Sequence, residues 1–175
     1  SLEKDARERT VWRVYEEAAA FAPERCAVVI CDMWDKHWSR GATERVEEMA
    51  PRMNDLISNL RERGVHIIHC PSGTMEFYRQ HPARLRMKEL PHADMPPPRD
   101  MPDPPLPIDD SDEGSDTGET EPYTAWSRQH SALKIDPERD GVTEYGQELY
   151  NFLVHHEVET VFIMGVHTNM CVLGR

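Results

Sequence analysis

Two side chains able to carry out covalent and proton-transfer chemistry stand next to apolar runs of strand length. Asp32 directly follows Cys26-Ala-Val-Val-Ile-Cys31, and Cys171 lies seven residues past the end of Thr160-Val-Phe-Ile-Met164, on a turn expected to open a helix. A thiol at a helix N-terminus meets unpaired N–H groups and a dipole that favour the thiolate. A neighbouring carboxylate can move protons for such a nucleophile. The pair therefore reads as a cysteine–aspartate constellation able to attack a carbonyl. On topology alone a second reading carries equal weight, with Cys171 a small buried hydrophobe and Asp32 a cap or turn residue.

The elements that must position this pair follow from periodicity. The run 26–31 looks buried on both faces, as in a parallel sheet covered by helices. Thr43 reads as an N-cap, with Glu44 in the first turn. Val46, Met49, Ala50, Met53, Leu56, Ile57 and Leu60 then recur at three- and four-residue steps, the stripe of an amphipathic helix. Pro51 either kinks that helix or sits in the first turn of a later one, and Gly64 ends it. Val65-His-Ile-Ile-His-Cys70 is a second buried strand, so the unit is β-α-β with parallel strands and a right-handed crossover. Ala132-Leu-Lys-Ile135 reads as a short strand. Thr143 is expected to cap a helix whose stripe is Tyr145, Leu149, Phe152, Leu153 and His156, ahead of the strand at 160–164. This alternation gives an α/β fold with a doubly wound, mostly parallel sheet flanked by helices, in which ligands bind at the carboxyl ends of the strands. Trp34, Trp38 and Trp126 are read as walls of an aromatic pocket near Asp32, and Trp34 reads equally well as core.

The composition excludes several classes. The chain has 175 residues, 20 basic and 32 acidic, for a net charge of -12. That balance argues against nucleic-acid or anionic-membrane partners, which need a basic surface. No run of 18 apolar residues is present to span a bilayer. Four cysteines at 26, 31, 70 and 171 are too sparse for a disulfide scaffold and lack zinc spacing. Asp35 and His37 are spaced like a ligand pair, yet nine scattered histidines read as surface or core residues, so neither metal nor cofactor is expected. Residues 1–25 read as an arm packing one or two side chains on a domain spanning 26–175. Within that domain, 91–122 holds nine of the fourteen prolines, and ten acidic residues stand there against one basic residue, Arg99. It is expected to be an extended surface insertion. Its Asp109, Ser111, Glu113 and Gly114 are a poor echo of a calcium loop, and a solvated charge run is the expected reading.

Some of these residues also resemble a known family. Gly165-Val-His-Thr-Asn-Met-Cys-Val-Leu-Gly174 resembles the nucleophile motif of the isochorismatase-like cysteine hydrolases, the superfamily of nicotinamidases and carbamoylsarcosine amidase. Val-Val-Ile-Cys-Asp32 resembles its first catalytic motif, and Arg63-Gly64-Val65 with His66-Ile-Ile-His69 resembles its helix-to-second-strand junction. The resemblance covers roughly 24–90 and 124–175. It implies Cys171 as nucleophile, Asp32 as the proton-exchanging carboxylate and a lysine supporting both. It also implies a cis Val166–His167 peptide and an oxyanion hole made by the His167 and Cys171 N–H groups. The family lysine stands a few residues before a Ser-Ala-aromatic stretch, which Ser131-Ala132-Leu133 resembles. Lys134 follows that stretch and Arg128 precedes it, so both stay open, with Lys36 a third choice. His167 stands where the family carries a small residue, which would narrow the pocket or meet the substrate. Pro71-Ser-Gly-Thr-Met75 replaces the metal pair of nicotinamidases, which demotes that activity.

The resemblance implies hydrolysis of an amide-type C–N bond of a small molecule through a thioester. A noncatalytic binding or scaffold protein and a thiol redox sensor are the alternatives. It further implies about two more strands and helices after the nucleophile. The start at Ser1 and the end at Arg175 therefore read as a fragment with C-terminal strands missing, an exposed sheet edge and poor folding or activity on its own. A cytoplasmic location, and self-association into a homo-oligomer when full length, are expected.

Overall fold

The computed structural model describes residues 2–97, 111, 113 and 115–172. The expected arm begins as a hairpin, β1 (Leu2–Lys4) antiparallel to β2 (Thr10–Trp12). It reaches the body through Phe21, whose ring meets Phe162 edge-on at 5.6 Å. A 3-10 turn, Pro23–Arg25, then leads into β3 (Cys26–Cys31), every residue of which is buried.

Helix α1 (Arg40–Glu62) starts earlier than the sequence led us to expect. Ser39 is the N-cap, its hydroxyl accepting from the Ala42 N–H at 3.4 Å, while Thr43 lies inside the first turn and bonds back to the His37 and Ser39 carbonyls. Pro51 neither starts nor ends the helix. It faces solvent, where water can satisfy the carbonyl its ring leaves without a donor, while Val46, Ala50 and Ile57 keep the buried stripe. β4 (His66–Cys70), α2 (Pro82–Glu89), β5 (Gly141–Val142), α3 (Gly146–His155) and β6 (Thr160–Gly165) complete the order. Helix α2 was not foreseen. The strand expected at 132–135 is a turn, and β5 supplies the sheet's fourth strand instead. Thr143 lies two residues before the true N-cap, Tyr145, and its hydroxyl accepts from the Tyr145 N–H at 3.0 Å.

The sheet runs β5-β4-β3-β6, all parallel. Side chains alternate between its faces. Cys26, Val28 and Ile30 pack with Val46, Ala50 and Ile57 of α1, while Ala27, Val29 and Cys31 pack with Met87 of α2 and Phe152 of α3. Helices therefore cover both faces, as the doubly wound reading requires. β6 forms one margin of the sheet, with Val161, Phe162 and Ile163 39–46% exposed. No helix among the described residues is long and apolar enough to cross a membrane.

Of the acidic insertion, Arg99, Asp109 and Gly114 lie outside the described residues, and the Ser115–Glu119 end docks onto α1. Glu119 Oε1 accepts from the Arg40 N–H at 3.3 Å, and Thr117 Oγ1 accepts from the Gly41 N–H at 3.1 Å. Arg45 grips Asp116 through both terminal nitrogens. Gly41 has to be small here, because a Cβ would come within 2.7 Å of Asp116 Oδ1. The segment thus satisfies helix N–H groups that have no intrahelical acceptor.

A buried polar hub ties the layers together. Asp140 accepts from Arg61 Nε at 2.9 Å and Nη2 at 2.7 Å and from the Asp136 N–H at 2.8 Å, and His69 Nε2 lies 3.1 Å from Asp140 Oδ2. His69 Nδ1 lies 2.9 Å from Gln129 Oε1. Burial alone pushes the Asp140 carboxyl up, but the His69 and Arg61 hydrogen bonds outweigh it and hold it below the usual carboxylate range.

Asp140→Ala leaves the Arg61 guanidinium buried without its carboxylate, and urea denaturation should show a loss of about 3–5 kcal/mol. Thr117 and Ser115 hydroxyls hold Glu119 down from 4.5 to about 2. The docking contribution of this carboxylate is therefore complete above pH 4.5 and lost as pH falls toward 2. The protection of the Arg40 and Gly41 amides, measured against their intrinsic exchange rates at each pH, should fall over that window, and Glu119→Gln should show the lower protection already at neutral pH.

Candidate active site

Register brings the site together. β3 pairs with β4 from Ala27↔His66 to Cys31↔Cys70, and with β6 from Cys26↔Thr160 to Cys31↔Gly165. The three strands end level, and the chain departs in opposite directions from β3 toward β4 and β6. This is the topological switch point, where open α/β sheets hold their ligands. Asp32 leaves β3 there with φ of 49°, buried to 2% exposure, and its Oδ1 accepts from the Ser72 N–H at 2.8 Å just past β4. On the other side Gly165 ends β6 with φ of 143°, and a Cβ there would overlap the Cys31 carbonyl oxygen. Only glycine fits that approach. The Val166–His167 peptide is cis, and the Val166 N–H donates to the Cys31 carbonyl at 3.3 Å.

The chain then turns through a π-helical segment, Thr168–Val172, the last of the described residues. The His167 carbonyl accepts from the Met170 N–H at 3.3 Å and the Val172 N–H at 3.0 Å. Cys171, on this turn, is partly exposed, whereas Cys26, Cys31 and Cys70 are buried. Asp32 and Cys171 line one cavity of about 350 Å³, together with Trp34, Ser72, Gly73, Trp126 and Met170.

Its wall is aromatic. Trp34 and Trp126 stack with ring centroids 4.0 Å apart and planes 6° from parallel, and Trp34 Nε1 donates to the Ser72 carbonyl at 3.0 Å. The wall is held by two antiparallel segments. The Asp35 N–H donates to the Arg128 carbonyl at 2.9 Å, the His130 N–H donates to the Met33 carbonyl at 2.7 Å, and Trp34 bridges Gln129. His37 lies parallel to both indoles, 5.8 and 5.7 Å away, and meets the His167 ring edge-on at 5.2 Å. Its Nδ1 accepts from the Ser39 N–H at 3.0 Å, which leaves the ring proton on Nε2. Trp38 packs on His37 and does not line the cavity.

The expected cations are elsewhere. Lys134 is exposed, its ammonium donates to the Ser131 carbonyl at 2.8 Å, and its N–H is tied to Asn54 of α1. Arg128 lies over the Phe77 ring, with its Nε 3.9 Å from Asp35. Lys36 is exposed. None of the three lines the cavity. Asp35 accepts from the Ser127 N–H and hydroxyl and from the Arg128 N–H, so it fastens the wall loop. Among the described residues no three His, Cys, Asp or Glu side chains converge as metal ligands. Sequence reasoning missed Ser72, Gly73 and Met170. The first two follow from the level strand ends, which put the residues after Cys70 beside Asp32, and Met170 follows from its adjacency to Cys171.

Fold and site together define an α/β protein with a thiol and a carboxylate in one cavity at the switch point of a parallel sheet. The isochorismatase domain matches residues 26–174, and the chain belongs to the isochorismatase family, as a hydrolase of that superfamily. No curated protein matches the sequence.

Burial, with the nearby His167 adding to it, lowers His37 to about 4. Between 6.5 and 4 the unfolded chain takes up this proton and the folded one does not, so His37 makes stability fall as pH drops through that window. Its ring resonances should stay those of a neutral imidazole to about pH 4, and a midpoint near 6.5 would contradict the packing described.

Proposed function

We propose that the protein is a cysteine hydrolase that cleaves an amide-type C–N bond of a small molecule through a thioester. The observation that carries this reading is the single cavity shared by Asp32 and Cys171. Asp32 takes the Cys171 thiol proton as the sulfur bonds to the substrate carbonyl carbon, and the carbonyl oxygen takes the negative charge. The N–H groups of His167 and Cys171 serve that oxyanion, a role for which each such donor contributes about 3 kcal/mol. When the oxyanion collapses, the C–N bond breaks and Asp32 returns the proton to the departing amine. Water then attacks the thioester while Asp32 accepts its proton. The C–S bond breaks, and the sulfur recovers that proton from Asp32. The products are a carboxylic acid and an amine. The stacked indoles and Met170 offer the substrate an apolar wall, and a wall of low polarity strengthens the electrostatics between carboxylate, thiol and oxyanion.

Lys134 and Arg128 are assigned no step, because neither lines the cavity. The noncatalytic and redox readings gain no observation of their own.

Against a panel of small amides, Cys171→Ala should lower turnover by at least about 10⁴-fold, and Asp32→Asn by about 10²- to 10⁴-fold. Lys134→Ala should leave turnover within about threefold of the parent, well short of what losing an acid–base group costs. Iodoacetamide should modify Cys171 ahead of the three buried thiols and abolish turnover in step. Mass spectrometry of a slow substrate should catch an acyl adduct on Cys171. Turnover that survives Cys171→Ala would sink the proposal.

A further inference from the structure

A second cavity, of about 300 Å³, lies at the opposite end of the sheet from Asp32 and Cys171. It is bounded by Gly64, Val65 and His66 at the start of β4, by His156 at the end of α3, and by Arg61, Arg86 and Arg139 with Glu138 and Asp140. The five residues of β4 separate it from the first cavity by roughly 15 Å. Three guanidinium groups and two imidazoles converge here in a chain whose net charge is -12.

The cations are not equally compensated. Arg61 is paired with Asp140 at 2.7 Å, and Arg139 with Asp136 at 2.9 Å. Arg86 instead donates to two backbone carbonyls, those of Asp140 and Pro137, and among the described residues no ion pair engages it. Its carbonyl partners fix the guanidinium in place without neutralising it. The His66 and His156 rings lie 4.5 Å apart beside it, and His66 Nε2 lies 3.1 Å from the Glu24 carbonyl oxygen. Burial, then the neighbouring His66, His155 and Arg86, lower His156 to about 4. Glu138 is exposed, and Asp140 is fully engaged in the buried hub. A site with a fixed guanidinium that no ion pair engages among the described residues, a second, exposed arginine and the His156 imidazole offers forked donors suited to a flat or tetrahedral oxyanion.

We propose that this cavity binds the phosphate or carboxylate head of a small anion, at a site distinct from the catalytic cavity. The anion would sit against Arg86 and Arg139, with His156 as a further donor and the His66 ring, whose Nε2–H is spent on the Glu24 carbonyl, as a wall. The site shares Arg61 and Asp140 with the hub that runs through His69 to Gln129 and so to Trp34.

Inorganic phosphate and succinate, each titrated into the whole chain at constant ionic strength with sodium chloride as the control, are the probes. Histidine ring resonances are the readout. At least one probe should move the His66 and His156 signals saturably and raise the His156 midpoint, because a bound anion favours the imidazolium. Arg86→Gln and Arg139→Gln should each weaken that binding about tenfold, as loss of a charged hydrogen bond predicts. Arg139 is exposed, so its variant keeps the test open if Arg86→Gln folds poorly. Saturation by phosphate alone identifies a tetrahedral head, and saturation by succinate alone a carboxylate. No saturable response to either probe, or a response that survives both substitutions, overturns the proposal.

Discussion

The level ending of three parallel strands is the constraint on which the rest of the molecule depends. Cys31 faces Cys70 on one side and Gly165 on the other, so the loops after β4 and β6 each leave the sheet one strand spacing from the loop after β3. A one-residue slip of β6 would turn every side chain of that strand to the other face. It would also carry the segment 166–172 away from Asp32. Two backbone features meet the crowding this produces. Asp32 adopts a left-handed conformation that directs its carboxylate onto the Ser72 N–H, and Gly165 omits the side chain that would strike Cys31. Both depend on the register before any chemistry is considered.

A second layer of order holds the loops rather than the strands. The segments 33–35 and 128–130 pair with each other and set the indole wall, while Asp35 clasps Ser127. Beneath them Gln129 reaches His69, and His69 reaches Asp140 and Arg61. Such buried ionic networks are weak stabilisers compared with apolar packing, but removing one member is costly. Here the network joins α1, β4 and the turn before β5 to the loop bearing the wall, so the geometry at Trp34 depends on charges deep in the molecule.

Much of the architecture was legible because the signals were long and redundant. The run 26–31, the stripe from Val46 to Leu60 and the run 160–164 each repeat their period enough times to fix element type, and the order strand–helix–strand fixes parallel pairing. What failed was short or non-local. The helix start at Ser39 lost to a better-looking cap at Thr43, because the acceptors that complete the first turn arrive from Thr117 and Glu119, over seventy residues away. Pro51 was ambiguous since its tolerance depends on which face meets solvent. β5 has two residues and no periodicity to read, so the apolar stretch at 132–135 was preferred to it. At the site, Asp32 and Cys171 were readable as strand-end residues, and Trp34 and Trp126 as aromatic neighbours. Lys134 and Arg128, close in sequence to the wall loop, are held by Asn54, Ser131, Asp35 and Phe77 and do not line the cavity, a placement that depends on contacts distant in sequence.

The indole pair gives the cavity an optical property of its own. Two aromatic rings 4.0 Å apart and nearly parallel do not absorb independently, because their transition dipoles interact. The near-ultraviolet spectrum of the chain therefore carries a signature of the spacing between Trp34 and Trp126. A molecule sliding along those ring faces would shift that signature while the backbone stood still, which turns the pocket wall into an intrinsic chromophore for occupancy.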